Sequence, residues 1–324
     1  MNIKNYMGIV MLALSLIACQ RGPKKTAKTT EQASQENIDE TSMEGNGEEV
    51  SEKGTADLGP NFNPVGSEVA YYSYVSENPP VARIFISNLD GSNTRQVSHL
   101  DSIGFHVEPK WSRDGKKIVY TSFLEVGSRM MVVDADGENP TELATVSDDG
   151  FHMFTSWDLS GDGYFFFHWP KEEFTPDAYY AYYAKDGKVE RLTENGKTNR
   201  PQITEDGVLY INRVESETPY VATKQLYDME NKKIIKDIPE LEGEFIVGKH
   251  TVKSVENEDS TTFVLEDLQG NDLKELGTVP YKKIMFTTID KNLEYVAYNT
   301  DFADGAEIHL LKIATGEIIK VTKN

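Results

Sequence analysis

Histidines are the residues whose type and spacing could best do chemistry in this chain. Gly104-Phe105-His106 precedes Trp111 by the same spacing at which Gly150-Phe151-His152 precedes Trp157, so two imidazoles recur at equivalent positions. His168 follows, with Trp169, Glu172, Glu173 and Asp177 close by in the chain. Asp101, Glu125, Asp148, Asp149, Glu215, Asp301 and Asp304 add carboxylates in neighbouring connections. Imidazole with carboxylate suits zinc, manganese or iron, so His106, His152 and His168 are candidate ligands of a divalent metal. The competing reading is structural: a Gly-x-His before an inner strand hydrogen-bonds within its own repeat. Thr198 stands where the next repeat would offer another histidine. No catalytic set is visible, because a Gly-x-Ser-x-Gly elbow, a P-loop and a dinucleotide fingerprint are all missing from the sequence. Asp134, Asp136 and Glu138 depart from the spacing of a calcium loop and read as a hairpin tip.

The elements that must position these residues are strands. Glu108 to Asn139 contains Trp111-Ser112-Arg113-Asp114-Gly115, an apolar run from Ile118, a second run from Arg129, and Asp136-Gly137, and the chain restates this unit with a period in the forties. Tight-turn dipeptides recur at Asp90-Gly91, Asp136-Gly137, Asp186-Gly187, Glu230-Asn231, Gly270-Asn271 and Thr315-Gly316, where left-handed backbone closes a hairpin between third and fourth strands. Six such turns predict an all-β, six-bladed β-propeller of four-stranded antiparallel blades over residues 59–324. The inner strands, packed between blades, are the apolar ones, and the outer strands are polar. Tyr179 to Tyr183 alternates faces within a third strand and reads as packing rather than a carbohydrate platform. Trp169 and Phe174, in a long connection, and Arg213 are the candidate contacts for a partner, since binding residues concentrate on loops over rigid scaffolds.

Trp111-Ser112-Arg113-Asp114-Gly115-Lys116-Lys117-Ile118, followed by Val133-Asp134-Ala135-Asp136-Gly137-Glu138-Asn139, resembles the WD-like repeats of TolB-like propellers. Similar repeats occur in the non-catalytic propellers of prolyl-oligopeptidase-type enzymes. The resemblance covers about residues 60 to 324 and is strongest in the first three repeats. It implies the fold. It also implies a scaffold that binds envelope proteins, although residues 20 to 58 are too short for the α/β domain that precedes the propeller in TolB. Some pectin-degrading lyases with related repeats use histidines on the loop face, which makes a metal-dependent lyase or hydrolase acting on a glycan at the propeller channel mouth the alternative function.

The first 18 residues resemble a bacterial lipoprotein signal: Lys4, an apolar run from Met7 to Ala18, then Leu16-Ile17-Ala18-Cys19. The run of about 12 residues is short of the roughly 20 that span a bilayer. Cleavage before Cys19 and acylation of that residue would anchor the chain at a membrane. Gln20 after the cysteine resembles the pattern sent to the outer membrane. Residues 19–58 then form the lipidated cysteine and a disordered tether, basic at Arg21, Lys24, Lys25 and Lys28 and acidic from Glu36 onward. The net charge of −20 disfavours nucleic acid and anionic lipid headgroups, which recruit Lys and Arg. Cys19 is the single cysteine, so no intramolecular disulfide contributes. The expectation is an outer-membrane lipoprotein, facing the periplasm or the cell surface, monomeric, with a non-enzymatic propeller that binds a protein or peptide and with no cofactor unless a divalent metal.

Overall fold

The computed structural model describes residues 56–77, 80–98, 104–124, 127–146, 150–171, 175–217 and 220–323. The predicted signal peptide, Cys19 and nearly all of the tether lie outside these residues, as does Phe174. Among the described residues no helix is long and apolar enough to cross a membrane.

The chain is an all-β propeller. Its first blade comprises β1 (Asp57–Phe62), β2 (Glu68–Glu77), β3 (Pro80–Asn88) and β4 (Arg95–Gln96); the next comprises β5 (Phe105–Trp111), β6 (Lys117–Leu124), β7 (Gly127–Asp134) and β8 (Thr141–Glu142). A single parallel bridge, Ala82 to Phe105, joins these two antiparallel meanders into one eight-stranded sheet. Four-stranded sheets follow with β9 (Phe151–Trp157), β10 (Tyr164–Trp169), β11 (Tyr180–Lys185) and β12 (Lys188–Arg191), and with β13 (Thr198–Ile203), β14 (Leu209–Glu217), β15 (Tyr220–Asp228) and β16 (Lys233–Ile238). The next sheet has only three strands, β17 (His250–Glu256), β18 (Thr261–Asp267) and β19 (Asp272–Val279). The last has four: β20 (Ile284–Ile289), β21 (Tyr295–Thr300), β22 (Ile308–Lys312) and β23 (Glu317–Lys320).

Sequence periodicity explains why each inner strand is apolar on both sides. Along β2, Val69 and Tyr71 point one way and pack with Phe85, Ala297, Ile308, Leu310 and Val321 of the first and last blades. Ala70, Tyr72 and Tyr74 point the other way, into the cluster of Phe105, Val107 and Trp111. Period-two alternation thus serves two interfaces at once, each large side chain contributing about 1.5–3 kcal/mol on full burial. The same packing closes the ring: the first and last blades meet face to face, and Asp57 N–H donates to Ala306 O at 2.7 Å. Gly91, with φ +80°, belongs to that closure, because a β-carbon there would stand 2.3 Å from the Val321 carbonyl oxygen. The ordered strand begins at Asp57, two residues ahead of the predicted boundary at 59.

Expected and observed strand phases agree in every blade but one. The β17–β19 blade lacks an innermost strand, contrary to the prediction of four strands throughout. Residues 239–249 lie where it would run, but they pair with β17 only through the isolated bridge Val247 to His250. Pro239 and two glycines, Gly243 and Gly248, interrupt this stretch, and neither residue type sustains a ladder.

Candidate functional site

The three predicted metal ligands do not all converge: His106 stands apart from His152 and His168. His106 is fully buried on β5 and packs on Tyr120, ring centroids 5.0 Å apart. Neither of its ring nitrogens has a hydrogen-bond partner among the described residues. Burial, followed by the Arg83 guanidinium, pushes its pKa down to about 3. His152 and His168 do come together, as register partners on β9 and β10 with centroids 4.7 Å apart. Burial and then the neighbouring His168 push His152 down to about 4, partly offset by its contact with the Ser128 carbonyl. All three are buried on strands of their blades.

The Gly-x-His repeat has a packing role, and beyond the ladder within its own blade it bonds to the preceding blade. Gly104 O accepts from Arg83 Nη1 at 2.7 Å. Ser128 N–H donates to Gly150 O at 3.0 Å, and Ser128 Oγ both accepts from His152 N and donates to His152 O. Gly150 adopts φ +112°, and a β-carbon there would lie 2.5 Å from His168 Nε2 and 2.8 Å from Trp169 O. Only glycine lets the segment come this close.

Trp169 is a correction. It is the last residue of β10 and only 3% exposed, stacked on Phe151 at 5.2 Å and on Phe167 at 5.3 Å, so it is a core residue rather than an exposed contact. The strand runs on through it because Trp169 pairs with Phe151, and Pro170 ends the ladder one residue later. Arg213, on β14, is on the surface, but its guanidinium is held by Glu215 at 2.8 Å and Asp237 at 3.0 Å.

What the sequence reading missed is a buried ionic cluster at the ring axis. Glu108 on β5 and Arg200 on β13 are each 5% exposed and pair at 3.1 Å across 92 residues of chain. The other Arg200 nitrogen meets Glu244 at 2.9 Å. Lys110 Nζ sits 4.1 Å over the Phe245 ring, with the Arg200 guanidinium 5.7 Å from the same ring. Buried Lys224 donates to Gly243 O at 2.5 Å. Burial alone would lower the Arg200 guanidinium, but the joint attraction of Glu108 and Glu244 carries it above its ordinary value. Burial lifts Glu244 above the usual carboxylate range against the pull of Arg200. It also pushes Lys224 down to about 8.

Backbone strain marks the same spot. Glu108 (φ 51°) and Arg200 (φ 47°) are non-glycine residues in the left-handed region, each at a bulge in its inner strand and each followed by proline. Gly59 (φ 64°), before Pro60, holds the equivalent place in β1. A signal existed in the sequence: residue-Pro-x-[Phe, Trp or Ile] at 59–62, 108–111 and 200–203, carrying glycine, an acid and a base at one repeat position.

This cluster holds the strap 242–247 where the missing strand would be. Gln202 bonds Glu244 O at 3.0 Å and Ile246 N–H at 2.9 Å, while fully buried Glu266 accepts from Gly243 N–H at 2.7 Å and Thr251 Oγ1 at 2.9 Å. Side chains replace a backbone ladder. Beyond the strap a small cleft of about 50 Å³ remains between Val252–Glu256 of β17 and Ile284–Thr287 of β20, its walls bridged by the Ser254 and Thr287 hydroxyls at 2.9 Å.

A strained, charged axis inside antiparallel blades defines a β-propeller with a polar centre. Among the described residues no group of three or more His, Cys, Asp or Glu side chains is placed to hold a metal ion. Compared by sequence, the chain matches no established family and no curated protein. By structure it is similar to TolB from Acinetobacter baumannii, with 17% identity over 67% of this chain and 53% of that one and a TM-score of 0.50. It is also similar to a prolyl endopeptidase (13% identity, 82% and 50% covered, TM-score 0.54) and to an oligogalacturonate lyase in complex with manganese (9% identity, 83% and 78% covered, TM-score 0.51). The chain spans about half the length of the first two. At these identities the likeness shows the fold alone.

Proposed function

We propose that this chain is a non-enzymatic cell-envelope lipoprotein, acylated at Cys19 and held at the outer membrane, whose monomeric six-bladed propeller is a scaffold for a protein or peptide partner. The observation that carries the reading is the three-stranded β17–β19 blade, which departs from the four-stranded blades around it and carries an irregular strap in place of an inner strand. Irregular segments over a rigid scaffold are common sites of protein recognition. The six-blade count rests on the six tight turns and on the antiparallel meanders they close. The acyl anchor rests on Leu16-Ile17-Ala18-Cys19, and the acidic half of residues 19–58 would hold the domain clear of anionic headgroups.

Photo-crosslinking groups placed at Arg213 and, as control, at Asp136 on the opposite turn test the reading in the full chain in its own envelope. The expected result is a discrete crosslinked protein from Arg213 that the control does not give. Equal background from both positions would overturn it.

One observation favours a second reading, a metal-dependent lyase or hydrolase acting on a glycan: the apposition of His152 and His168. Two imidazoles are short of the three or four protein ligands such a centre uses, and Asp148 and Asp149, next in the chain, lie outside the described residues. About one equivalent of zinc or manganese in purified protein, lost on His152→Ala plus His168→Ala, would establish this reading. A metal content that the substitutions leave unchanged removes it.

A further inference from the structure

Asparagine side chains hold several turns of this propeller. Those of Asn88, Asn139, Asn231 and Asn271 donate to Ser92, Asp134, Asp228 and Asp267, which fixes the amide and the backbone around it together. Asn195 holds nothing. It is exposed on the bend between β12 and β13, and among the described residues no group bonds its side chain, its backbone N–H or its C=O. The next N–H, that of Gly196, is unbonded as well. Anchors stand on either side of this bare bend: Leu192 N–H donates to Ala181 O at 2.8 Å, and Lys197 N–H donates to Pro176 O at 2.7 Å.

The fold also dictates the residue that follows Asn195. A β-carbon on Gly196 would stand 1.6 Å from the Asp177 carbonyl oxygen, so only glycine lets the bend lie against the turn Pro176–Ala178. Asn195-Gly196 is the one Asn-Gly pair among the described residues; Asn46-Gly47 lies outside them. Glycine has no side chain to shield its nitrogen, and a five-membered ring brings that nitrogen to the asparagine side-chain carbon at high effective concentration. Rotation of the Asn195–Gly196 peptide plane supplies the approach, and no hydrogen bond opposes it.

From the unbonded amide, the unbonded N–H and the obligatory glycine, we infer that Asn195 is a site of spontaneous deamidation and isoaspartate formation. The Gly196 nitrogen attacks Asn195 Cγ and a C–N bond forms. The side-chain nitrogen leaves as ammonia, carrying the proton that Gly196 gives up. Water then opens the cyclic imide. Addition at Cγ gives aspartate, and addition at the backbone carbonyl carbon gives isoaspartate, whose main chain runs through Cβ and Cγ. That lengthens the backbone by one methylene directly ahead of Lys197, which has φ +70°, accepts from Val214 N–H at 2.7 Å and pairs with Asp177 at 3.3 Å. The anchor to β14 is therefore displaced. Thr198 is the register partner of Arg213, so the modified bend adjoins the surface where a partner is proposed, although the modification itself does not depend on that proposal.

The test ages the full chain at neutral and mildly alkaline pH and follows each asparagine by peptide mass, with electron-based fragmentation to separate aspartate from isoaspartate. Asn195 is expected to convert at least about tenfold faster than Asn88, Asn139, Asn231 or Asn271, with isoaspartate among the products. The rate should rise with pH, because the attacking nitrogen must lose its proton. Asn195→Gln should remove the conversion and leave the melting temperature unchanged, since the side chain bonds nothing. Amide exchange at Lys197 and Val214 should quicken in the aged chain. It should not quicken in Asn195→Asp, which adds the charge without lengthening the backbone. Conversion at Asn195 no faster than at the four turn asparagines, or more than about tenfold slower than at Asn46, would mean that the fold restrains the Gly196 nitrogen and would overturn the inference. Exchange at Lys197 and Val214 that ageing leaves unchanged, or that Asn195→Asp quickens equally, would overturn the displacement of the anchor.

Discussion

Replacing Arg200 by methionine is expected to destabilise the propeller by about 3–5 kcal/mol, lowering its melting temperature by roughly 10 °C. The guanidinium and Glu108 are each 5% exposed, so the substitution would leave one carboxylate fully desolvated and Glu244, 24% exposed at its side chain, without its closest cation. Methionine keeps the unbranched stem and the same left-handed backbone penalty, so the loss reports on charge rather than on strain. Glu108→Leu combined with Arg200→Met should recover part of the loss, because a buried pair removed whole costs far less than a pair broken. Urea denaturation of the two single variants and the double variant measures the coupling. A single-variant cost under 1 kcal/mol would mean that the axis is hydrated and the cluster is not a clamp. The effect should extend beyond global stability, since Arg200 also holds the strap through Glu244. Loss of that hold should speed amide exchange at Gly243 and Ile246 before it does so in β18.

Acid is the second strong lever. An unfolded histidine titrates near pH 6.5, whereas in the folded chain burial keeps His106 down at about 3 and His152 at about 4. The sign follows from the proton count. Between pH 6.5 and 4 the unfolded chain takes up protons that the native state refuses, so stability falls as pH falls and the loss is complete only below the folded values. At about 1.4 kcal/mol per pH unit for each group, the two together can remove several kcal/mol by pH 4. His309, also lowered by burial, acts in the same direction. Glu244 and Glu217 oppose it, because burial raises both and their native forms gain protons in acid. The expected result is a urea midpoint that drops steeply between pH 6.5 and 4.5. His106→Phe, which fills the site beside Tyr120 without a titrating group, should flatten that drop. An identical pH profile for this variant and the parent chain would show that folding does not hold His106 unprotonated and that the drop has another source.

Strand phase was legible because its causes are local. Asp90-Gly91, Asp136-Gly137 and Asp186-Gly187 close hairpins through their own backbone geometry, and the alternation in β2 or β6 reports burial on two faces without reference to anything distant. Trp169 was misassigned for the converse reason. Proline and three acids around it look like a loop, yet pairing with Phe151 carries the strand one residue further than local composition suggests. The blade of β17 to β19 was the least regular in sequence, and the structure turns that irregularity into a missing strand, a strap and a cleft.

The sequence by itself determined the class of fold, the order of the strands and which residues could turn tightly, since each depends on neighbours a few positions away. It also placed Glu108 and Arg200 at the same point of their repeats, both before proline. Only the tertiary structure decided that these two meet. An inner strand points its bulge at a common axis, and residues 92 apart come into contact there because the ring closes, something no local propensity encodes. The same closure packed His106, His152 and His168 into the blades, and left a strap instead of a strand beside β17 at the axis.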